Sequence, residues 1–323
     1  MNHRNRHVSP PRDESGSALI LTLWILVTLS LISVGFAHRT RLDLKATGYQ
    51  VAHLRAHYLA RAAVYRGMIA IQADDLNRKT AGYDAYNEEW SIHKPFSDEG
   101  MFGEEDGVDL ENETFDYDII DESGKINVNR ATEEMLKSVD GLSLPAARAI
   151  LRRRNGFDGV LGTEDDEPFE SLAELRSLSE ISETAWEGRE GGMRETVGLK
   201  DILTVYGGDR VNINTASEVV LAAFPDLRRS LADDIVEYRS GGDGELGTKD
   251  DRPFKEMKHV NKVGDVELSQ QSILSRYGSV DSMAFTVIGT ATQNDGNVVA
   301  RVYATFEKKS RYGTFQLAAW RES

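Results

Sequence analysis

The stretch "GSALILTLWILVTLSLISVGFAHRTRLDL", residues 16–44, decides how the rest of the chain is read. From Ser17 to Ala37 it runs 21 residues without a charge. That length suffices for a helix to cross the hydrocarbon core of a bilayer. It follows a polar leader, "MNHRNRHVSPPRDESG", which carries Arg4, Arg6 and Arg12. A secretory signal peptide has a shorter apolar region ending in a small-residue cleavage site. Here the run ends "VGFAHRTRLDLK", so the span at 17–37 is expected to stay with the mature chain. Arg39, Arg41 and Lys45 beyond it balance the leader's arginines, and charge counting therefore gives no orientation. No proline appears from Ser17 to about Gln72, and Leu42, Tyr49, Ala52, Leu59 and Ala63 recur at helical spacing. Gly48 and Gly67 weaken that pattern by about 1 kcal/mol each without breaking it. One continuous helix is expected, apolar first and amphipathic after.

Composition narrows the function classes. The chain of 323 residues has 53 acidic against 38 basic residues, a net charge of −15, which disfavours nucleic-acid phosphate as the main partner and suits cations. It has no cysteine, which excludes disulfides, thiolate metal sites and cysteine nucleophiles. No phosphate-binding loop, metalloprotease helix or nucleophile constellation is present, and no catalysis is expected.

The middle of the chain is a repeat. Residues 127–169 align without a gap on 212–254, an offset of 85 throughout. Each copy opens on alternating apolar residues and asparagines, "INVNRATEEML" and "VNINTASEVVL". Asn129 and Asn214 are placed to cap the helix that follows, with Glu133 and Glu218 beyond them. A second helix carries Ala147, Ile150 and Arg154 in one copy and Ala232, Ile235 and Arg239 in the other. Pro168 and Pro253 fit the first turn of a third helix.

Between the second and third helices each copy has an acidic loop, "DGVLGTEDDEPF" at 158–169 and "DGELGTKDDRPF" at 243–254. The matched acids are Asp158, Asp165 and Asp166 in the first, and Asp243, Asp250 and Asp251 in the second. Gly159, Gly162, Gly244 and Gly247 permit tight turns that aim carbonyls inward. Hard oxygen donors at short, flexible spacing suit a structural Ca²⁺ better than Mg²⁺, although the EF-hand register is absent. The same residues also fit a metal-free role, with Asp166 and Asp251 capping the third helix and Asp158 and Asp243 as turn residues.

The flanks alternate in strand fashion: "TFDYDIID" at 114–121, then "MAFTVIGTATQ", "VVARVYATFEK" and "GTFQLAAWRE" after residue 282, the first two of these joined by an "NDGN" turn. The expected fold class is α+β, with a long N-terminal helix on an antiparallel sheet and an inserted all-helical domain over residues 125–275. The repeat units lie at 127–172 and 212–257, the first pilin-like segment at 38–124, and the closing strands at 276–323.

A basic leader ending in glycine, an apolar helix from the next residue, "DESGKINVNRAT", the helical insert and the terminal "AAWRES" together resemble the protein K family of minor pseudopilins of type II secretion systems. The resemblance spans nearly the whole mature chain. It implies a type IV pilin-like fold, cleavage by a prepilin peptidase between Gly16 and Ser17, and N-methylation of Ser17. It also implies a single-pass inner-membrane anchor with the C-terminal domain in the periplasm. The implied partners are the other minor pseudopilins (types I and J) within the pseudopilus. The implied role is to initiate and cap a fibre that exports folded proteins, and the family's helical domain can hold calcium. Pilins carry Glu at the fifth mature position, where it pairs with a neighbouring subunit's terminal amine; Leu21 stands there, as in the K family. A subunit lacking that carboxylate has no need of a partner above it. The repeats also resemble helix-hairpin-helix modules that grip DNA, giving an alternative reading as a membrane-anchored DNA receptor. Against it, the hairpins "DGLSLP" and "FPDLRR" lack the Gly-x-Gly turn, and the neighbouring loops are acidic.

Overall fold

The computed structural model describes residues 15–91, 113–189, 196–264, 266–293, 297–309 and 314–323. Residues 1–14 of the leader and residues 294–296 of the "NDGN" turn lie outside the described residues, whereas Gly16 and Ser17 lie within the first helix. Two compact units divide the chain, Met1–Arg55 and Ala56–Ser323.

Helix α1, Ser15–Ala81, runs nine residues beyond the expected end at Gln72. It stops where Gly82 takes a left-handed backbone, φ +70°, the usual conformation just past a helix C-terminus. Within the first unit it includes an 18-residue window of mean hydropathy 2.4 with none of its residues buried. Such a helix is long and apolar enough to cross a membrane.

The second unit is built on an antiparallel sheet in the order β1 (Glu113–Asp121), β2 (Ala284–Gln293), β3 (Val298–Glu307), β4 (Gln316–Glu322). All four strands fall where alternation placed them. Strand β2 alternates buried and half-buried residues along its length, as a strand with one covered face should. The cover is α1, which buries Ala56, Ala60, Ala63, Val64 and Ile71. Approach is close because small residues meet: a Cβ on Gly289 would stand 2.1 Å from the Ala60 carbonyl oxygen, and one on Gly67 2.5 Å from Val287 Cγ1. On the opposite face of the same helix, Tyr58, Tyr65, Ile69 and Leu76 are all exposed. Their spacing of 7, 4 and 7 puts them on one stripe that reading the sequence did not single out.

The helical insert leaves the sheet after Asp121 and returns at Ser282. Its helices are α2 (Glu133–Ser138), α3 (Leu144–Arg154), α4 (Leu172–Arg176), α5 (Glu183–Glu187), α6 (Leu199–Ile202), α7 (Glu218–Ala222), α8 (Arg229–Arg239) and α9 (Leu268–Tyr277), with a 3-10 turn at Met257–Lys262. It is not wholly helical: three pairings two residues long cross it, among them Ile126–Asn127 with Leu203–Thr204 and Val211–Asn212 with Gly278–Ser279. The two copies share one core, in which matched residues are buried in both: Val128 and Ile213, Leu136 and Leu221, Ile150 and Ile235, Phe169 and Phe254.

Entry to and exit from the insert meet at a buried carboxylate. Asp121 accepts from Ser282 Oγ at 2.6 Å, Thr215 Oγ1 at 2.6 Å, Asn212 Nδ2 at 3.2 Å and the Ser123 amide at 2.8 Å. Burial pushes its carboxyl pKa up, against the pull of those four donors.

The helix–sheet contact generates a direct test. Gly289→Ala forces a methyl into the Ala60 carbonyl and should cost about 1–3 kcal/mol as overpacking. Gly48→Ala, where a Cβ meets nothing within 4 Å, should be neutral or stabilise by up to ~1 kcal/mol. Thermal unfolding of the full chain in detergent compares the two, and equal midpoints would contradict the packing described.

Candidate functional site

Each repeat builds the same support for its acidic loop. The first asparagine makes a local turn, Asn127 Oδ1 accepting from the Asn129 amide at 2.9 Å and Asn212 Oδ1 from the Asn214 amide at 3.0 Å. The second asparagine then reaches across the loop. Asn129 accepts from the Phe169 amide at 2.8 Å and donates to its carbonyl at 2.9 Å. Asn214 does the same with Phe254, at 2.8 and 3.0 Å. These asparagines are therefore not helix caps; that expectation is corrected. Thr132 and Ser217 are the caps, accepting from the Met135 and Val220 amides, and Glu133 and Glu218 begin the helices. The same clamp removes the helix start expected at Pro168 and Pro253. Once Phe169 and Phe254 give their backbone groups to a side chain, the chain stays extended, and α4 begins only at Leu172, the 3-10 turn only at Met257.

The helix-face arginines are buried rather than solvated. Arg239 spans the Ile213 and Ala216 carbonyls, both at 2.5 Å, while Arg154 Nη1 reaches the Val128 carbonyl at 2.5 Å. Burial brings Arg239 down to about 10, still charged at neutral pH. The same arginines close the loop base through their backbones: Glu167 N donates to the Arg154 carbonyl and Arg252 N to that of Arg239.

The six aspartates turn inward onto their own loop backbones. Asp165 Oδ2 accepts from the Phe157 and Asp158 amides at 2.5 and 3.1 Å, and its Oδ1 from Thr163 at 2.8 Å. Asp250 repeats this with Gly242, Asp243 and Thr248, at 2.6, 3.2 and 2.7 Å. Asp158 and Asp243 accept from Val160 and Glu245, and Asp166 and Asp251 from Gly162 and Gly247, so neither pair caps a third helix. Gly156 and Gly241, which the motif comparison passed over, let the loop close. Both have positive φ, and a Cβ would sit 2.2 and 2.6 Å from the carbonyl oxygens of Asp165 and Asp250. The threonine hydroxyls and then the loop amides hold the Asp165 and Asp250 carboxyls below the ordinary carboxylate range.

Whether these loops suit a cation is a matter of donor chemistry. All the side-chain ligands on offer are hard oxygens, and each aspartate uses only part of its acceptor capacity on amides. Asp166 Oδ1 is buried with no hydrogen-bond partner, the kind of orphan that an ion would satisfy. In this arrangement they do not converge: among the described residues neither set of three loop aspartates brings its ligand atoms mutually within 4.8 Å, so a cation in either loop would have to draw carboxylates off the loop amides. A second acidic group, missed in the sequence, lies at the end of α1 and the turn after it. Asp74, Asp84 and Glu88 are, among the described residues, the group of three with ligand atoms mutually within 4.8 Å. Its members are spread over 15 positions without a motif, and only the reversal of the chain after Gly82 brings them together. Asp84 also accepts from the Ser282 amide and Glu88 from the Ala85 amide.

The hairpins between paired helices are occupied from within. Ser143 accepts from the Ala146 amide in the first. In the second, Gln270 accepts from the Arg228 amide and donates to the Asp226 carbonyl.

No family model matches the chain. In fold it is similar to a chain in the crystal structure of the GspK-GspI-GspJ complex from the enterotoxigenic Escherichia coli type 2 secretion system. The TM-score is 0.55 at 15% identity, covering 88% of this chain and 99% of that one. The expected fold, a long apolar N-terminal helix with an antiparallel sheet and a helical insert, is thus the fold of a solved protein. The chain is also similar, 26% identical over 149 residues, to the Xenopus laevis "Endonuclease/exonuclease/phosphatase family domain-containing protein 1". That match takes in 45% of this chain but only 25% of the frog protein's length.

Two outcomes follow from the clamp and the loops. Asn214→Ala orphans two buried backbone groups, at about 1–3 kcal/mol each, and should lower the urea midpoint more than Asn129→Ala, whose clamp is only half-buried. The loops should also be acid-sensitive in one direction. With folded pKa values depressed, the contribution of Asp165 and Asp250 is complete above the unfolded value of about 4 and fades as pH falls below it. Amide exchange at Phe157 and Gly242 should therefore stay flat from pH 7 to 5, after correction for intrinsic rates, and accelerate below about pH 4.

Proposed function

We propose that the chain is a minor pseudopilin of a type II secretion system, held in the inner membrane by residues 17–37 with its second unit in the periplasm. The observation that carries this is the extent of the fold likeness, 88% of one chain and 99% of the other, which takes in most of the sheet and insert together. A prepilin peptidase cleaves between Gly16 and Ser17, and Ser17 is methylated. The mature helix then leaves the bilayer and packs beside helices of the other minor pseudopilins, types I and J. The stripe Tyr58, Tyr65, Ile69 and Leu76 supports this step, because four large side chains on one helix face remain exposed even though Tyr58 meets Arg61 and Tyr65 meets Trp320 within the chain. Leu21 leaves the span without a carboxylate to neutralise a subunit above, and the insert adds bulk there, so the chain caps and initiates the fibre. The reading involves no catalytic step.

In the same reading each acidic loop takes a structural Ca²⁺, held by Asp158, Asp165 and Asp166 in the first repeat and Asp243, Asp250 and Asp251 in the second. The ion supplies charge neutralisation and fixes loop shape.

Two measurements bear on these points. Intact mass from a host with a prepilin peptidase should show Ser17 at the N-terminus, methylated, and Gly16→Ala should leave the precursor. In the processed chain, Ile69→Asp with Leu76→Asp should abolish co-purification with types I and J while leaving the melting temperature unchanged; intact co-purification would remove the stripe from the interface. For the metal, binding to the native state alone stabilises it by about 2.7 kcal/mol at a hundredfold excess over Kd. Chelation should lower the melting temperature of the wild type. Asp165→Ala and Asp250→Ala should each remove part of that calcium response and together most of it. Identical melting in calcium and chelator, with no metal by elemental analysis, would leave the loops as amide-held turns.

A further inference from the structure

Helix α1 concentrates positive charge that the rest of the chain does not share. From Ser17 to Ala73 there are six lysines and arginines and a single acid, Asp43, in a protein whose net charge is −15. Farther along the helix these cations have partners in the fold: Arg61 pairs with Glu322 at 2.6 Å, and Arg66 lies over the Tyr117 ring. Arg39, Arg41 and Lys45 differ. All three are exposed, and their side chains make no ion pair among the described residues.

Their place is set by the apolar run, which ends at Ala37. At 1.5 Å per residue, Arg39, Arg41 and Lys45 stand about 3, 6 and 12 Å beyond it along the helix axis. The polar headgroup layer on one side of a bilayer is about 5–7 Å deep. The field of its charges reaches about 8 Å further at physiological ionic strength. Arg39 and Arg41 therefore fall at the depth of the layer, and Lys45 falls within its field. At 3.6 residues per turn His38, Arg41 and Lys45 share one stripe, and Asp43 lies on the opposite side of the helix, where it does not neutralise them. Long cationic side chains at that depth reach phosphate oxygens, arginine through paired N–H groups. A chain this acidic is repelled as a whole by an anionic surface, so cations confined to its membrane end are what let it sit on one.

We infer that Arg39, Arg41 and Lys45 form a collar that binds the phosphate groups of anionic phospholipids at the membrane surface. The inference rests on the reading of residues 17–37 as a span and goes beyond it, because an apolar span by itself has no headgroup preference.

The test uses the full chain in mixed detergent micelles holding equal amounts of phosphatidylglycerol and phosphatidylcholine, with native mass spectrometry counting the lipids that stay bound. Phosphatidylglycerol should be retained in excess. The triple variant Arg39→Gln, Arg41→Gln, Lys45→Gln should lose that preference by at least about tenfold. Glutamine has nearly the helix propensity of lysine and arginine, and unchanged circular dichroism checks that the helix persists. A control triple, Arg148→Gln, Arg229→Gln, Lys249→Gln, removes the same charge from exposed positions of the second unit and should bind lipid as the wild type does. Equal retention of the two lipids would overturn the collar, as would an equal loss in both triples. Displacement of the lipid by inorganic phosphate at matched ionic strength would overturn it in favour of a free anion. Loss of a co-purifying acidic protein in the first triple, with no lipid preference in the wild type, would overturn it in favour of a protein partner. Carbonate extraction of membranes reads the span separately. A chain washed off by carbonate removes the span and the collar with it, whereas a retained chain without headgroup preference removes the collar alone.

Discussion

The Asp121 carboxylate is the point on which the second unit depends. A helical domain inserted in a sheet must leave and re-enter through neighbouring positions, or the strands on either side lose their register. Here the exit at Asp121 is paired in register with Phe285, and the return passes Ser282, whose hydroxyl donates to Asp121 at 2.6 Å. Burying an ionised group away from water is unfavourable unless its lone pairs are filled. Two of the four donors come from the second repeat, Asn212 and Thr215, so the insert itself supplies what the sheet's exit residue needs. Asn212 also donates to the Asp84 carbonyl and to Ser282, which brings the turn after α1 to the same point. Three segments far apart in sequence are thus fixed by one buried carboxyl group whose hydrogen bonds none of them could fill alone. The turn after α1, the sheet and the insert are ordered together.

The repeats follow from a similar economy of groups. A loop of about a dozen residues closes poorly by itself. Each copy closes it three times over: an asparagine across to a phenylalanine backbone, an arginine carbonyl to the returning chain, and aspartates to the loop amides. Apart from the aspartates, none of these uses an exposed side chain's identity. The solvent-facing positions were consequently free to diverge, and they did so in opposite directions, to glycine and glutamate in one copy and to phenylalanine and valine in the other.

How far the sequence revealed this depends on whether the deciding interaction was local. Strands β1 to β4 were visible because side-chain alternation is written in adjacent residues, and the apolar span because charge is absent from it. The repeat boundaries came from alignment alone. The role of Asn129 and Asn214 was misjudged because an asparagine before a helix has a common local use, capping, whereas their partners lie 40 residues on. Pro168 and Pro253 misled for a related reason: proline fits a first helical turn, but here the neighbouring phenylalanine is held extended by that distant side chain. Arg154 and Arg239 were correctly placed on a helix face but not recognised as buried, since arginine rarely is and the receiving carbonyls come from another segment. The Tyr58–Leu76 stripe was legible and overlooked, because attention to one apolar stripe on α1 hid a second on the opposite side.

The loops hold a last tension between self-sufficiency and metal binding. Each aspartate is anchored by amides, so the loop has a defined shape without any ion, and this is why a metal-free account is coherent. The anchoring does not remove the charge. Like charges in one short loop still repel, although water screens groups as exposed as Asp165 and Asp250. Amide dipoles reduce this but carry no net charge, and each repeat adds three acids to a chain already at −15. All three side chains have work in the metal-free turn, since Asp158, Asp165 and Asp166 accept from different loop amides, as Asp243, Asp250 and Asp251 do. Their presence in both copies, while solvent-facing neighbours changed freely, is what backbone closure by all three requires. The copies differ at one atom: Asp166 Oδ1 is buried and unpartnered, whereas Asp251 Oδ1 accepts from the Thr248 hydroxyl, so the calcium proposed for the loops would be better tested in the first repeat than in the second.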